Sequence, residues 1–236
     1  MKTKNILKNG ILLIVFLPLI AFASEAEITV TAPIDATDHA SLQRGARTFI
    51  NSCLNCHSAN YMRYNRLIDI GLTEAQIKDN LLFAGDKVGD TMKTSMNPKD
   101  AKKWFGVAPP DLSVEVRARG ADWVYAYMRG FYRDETTLTG WNNIVFDKVA
   151  MPHVLYELQG EQVLNHETHQ LELVKPGKLD PAEYNALVGD LTNYMAFMAE
   201  PAKEQRKHIG WWALLFLGVL LVLAIKLKKE YWKDIK

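Results

Sequence analysis

Both cysteines of this 236-residue chain lie in one pentapeptide, Cys53-Leu54-Asn55-Cys56-His57. Two thiols three positions apart, with a histidine directly behind them, form the pattern of c-type haem attachment. The thiols add to the two vinyl groups on one edge of the porphyrin, and the adjoining imidazole reaches the iron. A structural zinc site needs four ligands, and the chain has no second cysteine pair to supply them. A thioredoxin-like pair opens a helix after a strand, whereas here a helical pattern leads into the motif. The pentapeptide therefore predicts one covalently attached haem c per chain, bound by Cys53 and Cys56 with His57 as an axial iron ligand. It also constrains the fold. The polypeptide must close over a large apolar disc, which replaces part of a side-chain core and tolerates long irregular connections.

With both thiols committed, the cysteine count is silent on compartment, and the two chain ends decide it. Lys2, Lys4 and Lys8, the apolar run from Ile11 to Ile20, and Ala21-Phe22-Ala23 read as a secretory signal peptide cleaved after Ala23. Near the other end, Ile209 to Ile225 form an uncharged apolar run close to the length a spanning helix needs. Trp211 and Trp212 stand at its entry, where aromatic rings favour the headgroup zone. Lys226, Lys228, Lys229, Lys233 and Lys236 follow it, and basic flanks stay on the cytoplasmic side. The expected organisation is a signal peptide (1–23), a periplasmic haem domain (24–202), a linker (203–208), a transmembrane helix (209–226) and a cytoplasmic tail (227–236). That makes a single-pass protein of a bacterial inner membrane, in contact with lipid.

The formal net charge of +1 hides an asymmetry: residues 24–208 carry 20 Lys and Arg against 25 Asp and Glu, a net of −5, between two basic ends. An acidic body argues against nucleic acid and for a basic protein partner.

Within the body, residues 24–37 read as extended. A helix is expected from about His39 to Ser52, N-capped by Asp38, with Leu42, Ala46, Phe49 and Ile50 on one face. It delivers the chain to Cys53. Thr73 and Gln76 predict a capping box opening a second helix that turns Ile77, Leu81 and Leu82 inward. A short helix is expected between Asp111 and Arg119, ended by Gly120. Asp122 is expected to cap the next, which carries Val124, Tyr127 and Met128. Residues 134–178 show no helical period, although Val163-Leu164 and Leu171-Glu172-Leu173 pair as a small hairpin. The last helix of the body opens with Asp180 as cap and Pro181 in its first turn. Its stripe of Tyr184, Leu187, Val188, Leu191, Tyr194, Met195 and Met198 reads as core, and Pro201 breaks the chain before the membrane run.

A second axial ligand decides between electron transfer and catalysis. A filled His–Met pair leaves no position open to oxygen or peroxide and raises the reduction potential. Met62 lies too close to His57 to reach the opposite haem face, and Met128, Met195 and Met198 fit helix stripes. Met92, Met96 and Met151 sit in irregular segments where a ligand loop can form. Met151 stands out because Pro152 stiffens its loop, with His153 as an alternative.

Several segments together resemble cytochrome c1, the haem subunit of the ubiquinol–cytochrome c oxidoreductase (bc1) complex. They are Arg44-Gly45 ahead of the haem motif, Cys53 to Ser58 with Tyr64 beyond it, and Ala108-Pro109-Pro110-Asp111-Leu112-Ser113 running into Arg117-Ala118-Arg119. Ala150-Met151-Pro152 and the C-terminal anchor complete the series. The resemblance implies a mostly α, cytochrome c-like haem domain with long irregular loops plus one C-terminal transmembrane helix. It implies Met151 as the sixth iron ligand and Arg119 as partner of a haem propionate. Pro109 and Pro110 would wall the haem, with one of their carbonyls orienting His57. The implied activity is one-electron transfer, as a subunit of the oxidoreductase rather than an enzyme by itself. The electron would come from the Rieske iron–sulfur protein and leave to cytochrome c, beside cytochrome b in a dimeric complex. Two alternatives are another membrane-anchored monohaem cytochrome, serving an oxidase or dehydrogenase, and a haem enzyme or sensor with an open iron position.

Overall fold

The computed structural model describes residues 29–234. The expected signal peptide lies outside the described residues. Residues 29–37 run extended without regular structure and are pinned to the body: Ala32 N–H donates to the Asp122 carboxylate at 2.7 Å, and Asp35 N–H to Asn193 Oδ1 at 3.0 Å. Asp122 is thus not the cap expected of it. It sits in the first turn of its helix, Gly120 is the cap residue, and the carboxylate fastens the N-terminal segment instead.

Helix α1 (His39–Thr48) opens as the sequence predicts, with Ser41 N–H donating to the Asp38 side chain. It then loosens into a π-helical turn, Phe49–Cys53, which ends on the first cysteine. Strand β1 (Ala59–Arg63), a 3₁₀ segment (Tyr64–Ile70) and α2 (Glu74–Asn80) follow, α2 carrying the predicted Thr73–Gln76 capping box. Strand β2 (Thr91–Met92) pairs antiparallel with β1. Helix α3 spans Pro98–Phe105, α4 Glu115–Arg119 and α5 Ala121–Arg129. Strands β3 (Phe131–Arg133) and β4 (Trp141–Asn143) form an antiparallel pair, Tyr132 opposite Asn142. After the short α6 (Tyr156–Gln159), β5 (Gly160–Asn165) and β6 (Gln170–Pro176) make the expected hairpin, with Leu164 opposite Leu171 and Val163 opposite Glu172.

Helix α7 (Pro181–Ala199) has Asp180 as cap and Pro181 at its start, and buries Tyr184, Val188, Leu191, Tyr194, Met195 and Met198. The core is built where α7 crosses α1. Gly45 lets the two backbones meet: a β-carbon there would stand 2.0 Å from the carbonyl oxygen of Asp190. Beside this contact Arg44 donates from Nε and Nη2 to the Asp190 carboxylate at 2.5 and 2.9 Å, and the rings of Phe49 and Tyr194 lie 5.6 Å apart. The crossing anchors the end of α1, and with it the cysteine motif, against the longest helix of the body.

Helix α8 runs unbroken from Lys203 to Tyr231. Residues 203–208, expected as a linker, are its first two turns, and the helix continues past the expected end of the membrane run. None of its residues is buried. Among the described residues it is the one helix long and apolar enough to cross a membrane. About half the chain is helical, so the mostly α fold class stands.

Candidate haem site

The motif is a tight turn. Leu54 N–H donates to Phe49 O at 3.0 Å, Cys56 N–H to Cys53 O at 3.1 Å, and His57 N–H to Cys53 O at 2.8 Å. A π-helical turn carries one extra residue within its hydrogen-bonded ring, and such turns cluster at functional sites; here it rotates Cys53 into the same cleft as Cys56. Both thiols are free. Burial, and secondarily the nearby Cys56, push the Cys53 thiol up to about 12, and burial raises Cys56 as well. Both stay protonated at neutral pH. A thiolate metal site wants the opposite shift, whereas addition across a vinyl group consumes an S–H.

His57 is buried, and its Nδ1 lies 2.8 Å from the carbonyl oxygen of Pro110. A carbonyl only accepts, so Nδ1 carries the proton and Nε2 keeps its lone pair. Burial lowers the imidazole pKa, with the Pro110 hydrogen bond opposing it, which favours the neutral ring an iron ligand must be. The Pro110 carbonyl is itself held firmly. Leu112 N–H donates to Ser58 O at 2.8 Å. Asp111 accepts from Asn60 N–H and Nδ2 at 2.9 and 2.7 Å and from Ser113 N–H at 2.8 Å, and Ser113 Oγ accepts from Tyr61 N–H at 3.0 Å. Asp111 thus staples the Pro-Pro segment to the strand that follows the cysteines.

One cleft brings these predicted residues together: Cys53, Cys56, His57, Pro109, Pro110 and Met151 all line it. Phe105, Val107, Pro152 and Val154 complete an almost wholly apolar wall. Two sulfurs at one edge, an imidazole with a free nitrogen, a thioether and an apolar lining are the donor set and shape that a covalent haem requires. The residues present fit the group.

Arg119 does not line this cleft. Its Nε donates to Glu115 Oε1 at 3.3 Å, one turn back, and its guanidinium lies 4.8 Å over the ring of Trp123. His153 is neither solvent-facing nor among the cleft residues. It is 2 % exposed, stacked on Phe131 with ring centroids 4.7 Å apart and edge-on to Trp141 at 5.1 Å, and its burial drops the imidazole to about 4. Of the other candidate methionines, Met62 and Met92 are fully buried core, Met92 Sδ taking the Tyr194 hydroxyl at 3.5 Å.

Reasoning on sequence missed three contributors. Phe105, the last residue of α3, and Val107, just beyond it, reach the cleft where that helix ends, and no periodicity marks them. Tyr127, assigned to a core stripe, directs its hydroxyl at Met151 Sδ, 3.5 Å away. Helix α3 carries exposed Lys99, Lys102, Lys103 and Trp104, and Asp134, Asp147 and Lys148 line a second cavity that shares Phe105 and Ala150 with the cleft.

The model of the Cytochrome C1 family matches residues 29–235. A cytochrome c1 of Allochromatium vinosum is 48 % identical over 216 residues, covering 87 % of this chain and 88 % of its own. A Nitrosomonas europaea protein named ammonia monooxygenase gamma subunit is 51 % identical over 232 residues, covering 98 % and 99 %. The cytochrome c1 of Rhodospirillum rubrum is 27 % identical over 226 residues, covering 84 % and 83 %. With a family match spanning the whole described body and membrane helix, and the sulfur–imidazole–thioether cleft at its centre, the chain belongs to the cytochrome c1 family.

Proposed function

We infer that the chain is the electron-transfer subunit of a bc1-type ubiquinol–cytochrome c oxidoreductase. It accepts one electron from a Rieske iron–sulfur protein and passes it to a cytochrome c. The observation that carries this reading is the joint presence, in one apolar cleft, of Cys53, Cys56, His57 and Met151 with His57 Nδ1 tied to Pro110. When bound, a haem c supplies one-electron Fe(III)/Fe(II) chemistry without bond making. Cys53 and Cys56 hold it covalently, one haem per chain. The Pro110 carbonyl fixes the tautomer of His57, so that Nε2 would be free to serve the iron as a neutral donor. Met151 would supply a second iron ligand, and a filled pair would leave no position open to oxygen or peroxide. Pro109 and Pro110 would wall the haem with rigid, apolar backbone.

Arg119 serves a haem propionate. Its single ion pair with Glu115 is partly exposed and uses one of five guanidinium donors, and a carboxylate withdrawn from water needs such a partner. Helix α8 anchors the domain in the inner membrane beside cytochrome b, with the haem domain periplasmic and the lysine-rich end cytoplasmic, in a dimeric complex. Export follows from the N-terminal signal read in the sequence. The name of the Nitrosomonas relative points to ammonia oxidation, and no feature of this site favours that chemistry. Among the described residues no three His, Cys, Asp or Glu side chains gather as a further metal site would need.

Purification in mild detergent tests the reading. The denatured chain is expected to keep one haem mass, and the native oxidised protein to show the weak far-red sulfur-to-iron band. A cytochrome b and a Rieske protein are expected to co-purify. A colourless chain, or one at bare polypeptide mass, overturns haem attachment. Rapid carbon monoxide binding to the reduced protein overturns the closed axial pair. Recovery with oxidase subunits instead transfers the chain to another respiratory complex.

A further inference from the structure

Helical spacing explains why the ring of Tyr127 faces inward, but it leaves the hydroxyl without a reason. The phenol oxygen lies 3.5 Å from Met151 Sδ, within the longer reach of hydrogen bonds to sulfur, and among the described residues it makes no other hydrogen bond. We propose that Tyr127 is a positioning residue for the axial methionine: its hydroxyl donates to Met151 Sδ, fixes the direction of the thioether and raises the reduction potential of the haem. The proposal deepens the reading above and rests on Met151 being the sixth ligand.

The geometry has a clear direction. A thioether carries no proton, so the phenol is the donor. Met151 itself sits in an irregular segment between Val149 and Pro152. Tyr127 sits on α5, and its ring is clamped on two sides. Trp123 stacks on it at 5.0 Å with planes 10° apart, and Phe131 meets it edge-on at 5.1 Å. The Arg119 guanidinium closes the stack over Trp123, and Asn143 Nδ2 donates to the Tyr127 carbonyl at 2.8 Å. A helix residue held in an aromatic stack thus aims a proton at a sulfur on an irregular segment. A thioether sulfur has two lone pairs, one for a metal and one for a hydrogen bond. The hydrogen bond draws density from the sulfur and weakens its donation, which costs Fe(III) more than Fe(II) and lifts the potential.

Tyr127→Phe in the full-length membrane protein tests this, because it deletes one oxygen and keeps the stacked ring. The midpoint potential is expected to shift negative. Exogenous imidazole is expected to displace the methionine from the oxidised haem about fivefold more readily, the effect of one ordinary hydrogen bond. Tyr125→Phe is the control. It lies on the same helix, and its hydroxyl contacts Asn185 O at 3.4 Å, away from Met151; its potential should match the parent. A sulfur-to-iron band in the parent, with potential and imidazole affinity unmoved in Tyr127→Phe, overturns the proposal and leaves Met151 ligation standing. Absence of that band from the parent overturns the ligation and the proposal together.

Discussion

Gly45 occupies a position where even one methyl group has nowhere to go. The nearest atoms to its missing side chain are the carbonyl oxygen and carbon of Asp190, at 2.0 and 2.7 Å, and these are backbone that cannot rotate aside. Overpacking of this kind costs about 1–3 kcal/mol, and backbone as the obstacle sets Gly45→Ala at the upper end. Denaturant unfolding of the haem domain should show a loss of about 2–3 kcal/mol; an unchanged midpoint would mean that α1 and α7 do not cross here. Glu161 poses an electrostatic test. Hydrogen bonds from Arg133 and then Lys175 hold its carboxyl at about 2, against an ordinary 4.5. A depressed acid stabilises the fold above its unfolded pKa and loses that contribution as pH falls through the folded one. Glu161→Gln should therefore be less stable than the parent near neutrality, and the gap should close between pH 4.5 and about 2. A gap that stays constant across that window would remove the ion pairs from the account. The sequence marks Gly45 only as part of the family resemblance and says nothing of Glu161. A glycine in a helical stretch and a glutamate in an aperiodic one acquire meaning only from chain segments far away.

Elements with local causes were legible. The Asp38 and Asp180 caps, the Thr73–Gln76 capping box and the β5–β6 hairpin all depend on residues close together in the chain. Boundaries governed by distant contacts were not. Asp122 looks like a cap by composition, yet Gly120 takes that place and the carboxylate bonds Ala32 across the fold. The π-helical turn at Phe49–Cys53 was also invisible, because its residues keep ordinary helical spacing. Helix α8 contributes nothing to the buried core, since none of its residues is buried. A chain stopped after Ala202 should therefore fold, move to the soluble fraction and keep the visible spectrum of the full protein. Spectral loss on truncation would show that the helix supports the haem domain and does not merely anchor it.

At the scale of the whole molecule, charge acts at a distance and the cleft acts at contact. The net −5 of residues 24–208 should draw a basic cytochrome c and speed encounter, with the rate of electron delivery falling about tenfold or more from low salt to ~0.5 M. A rate unchanged over that range would dismiss electrostatic steering. By itself the sequence determined the haem motif, the membrane run, the starts of α1, α2 and α7 and a short roll of candidate ligands. Those follow from spacing along the chain, from side-chain chemistry and from hydropathy, all of which are local. Only the tertiary structure decided that Met151, 94 positions beyond His57, lines the same cleft. It also decided that His153 is caged by Phe131 and Trp141, and that Tyr127 faces a sulfur. Such placements depend on how α1, α5 and α7 pack, and packing is a property of surfaces that meet only once the chain has closed.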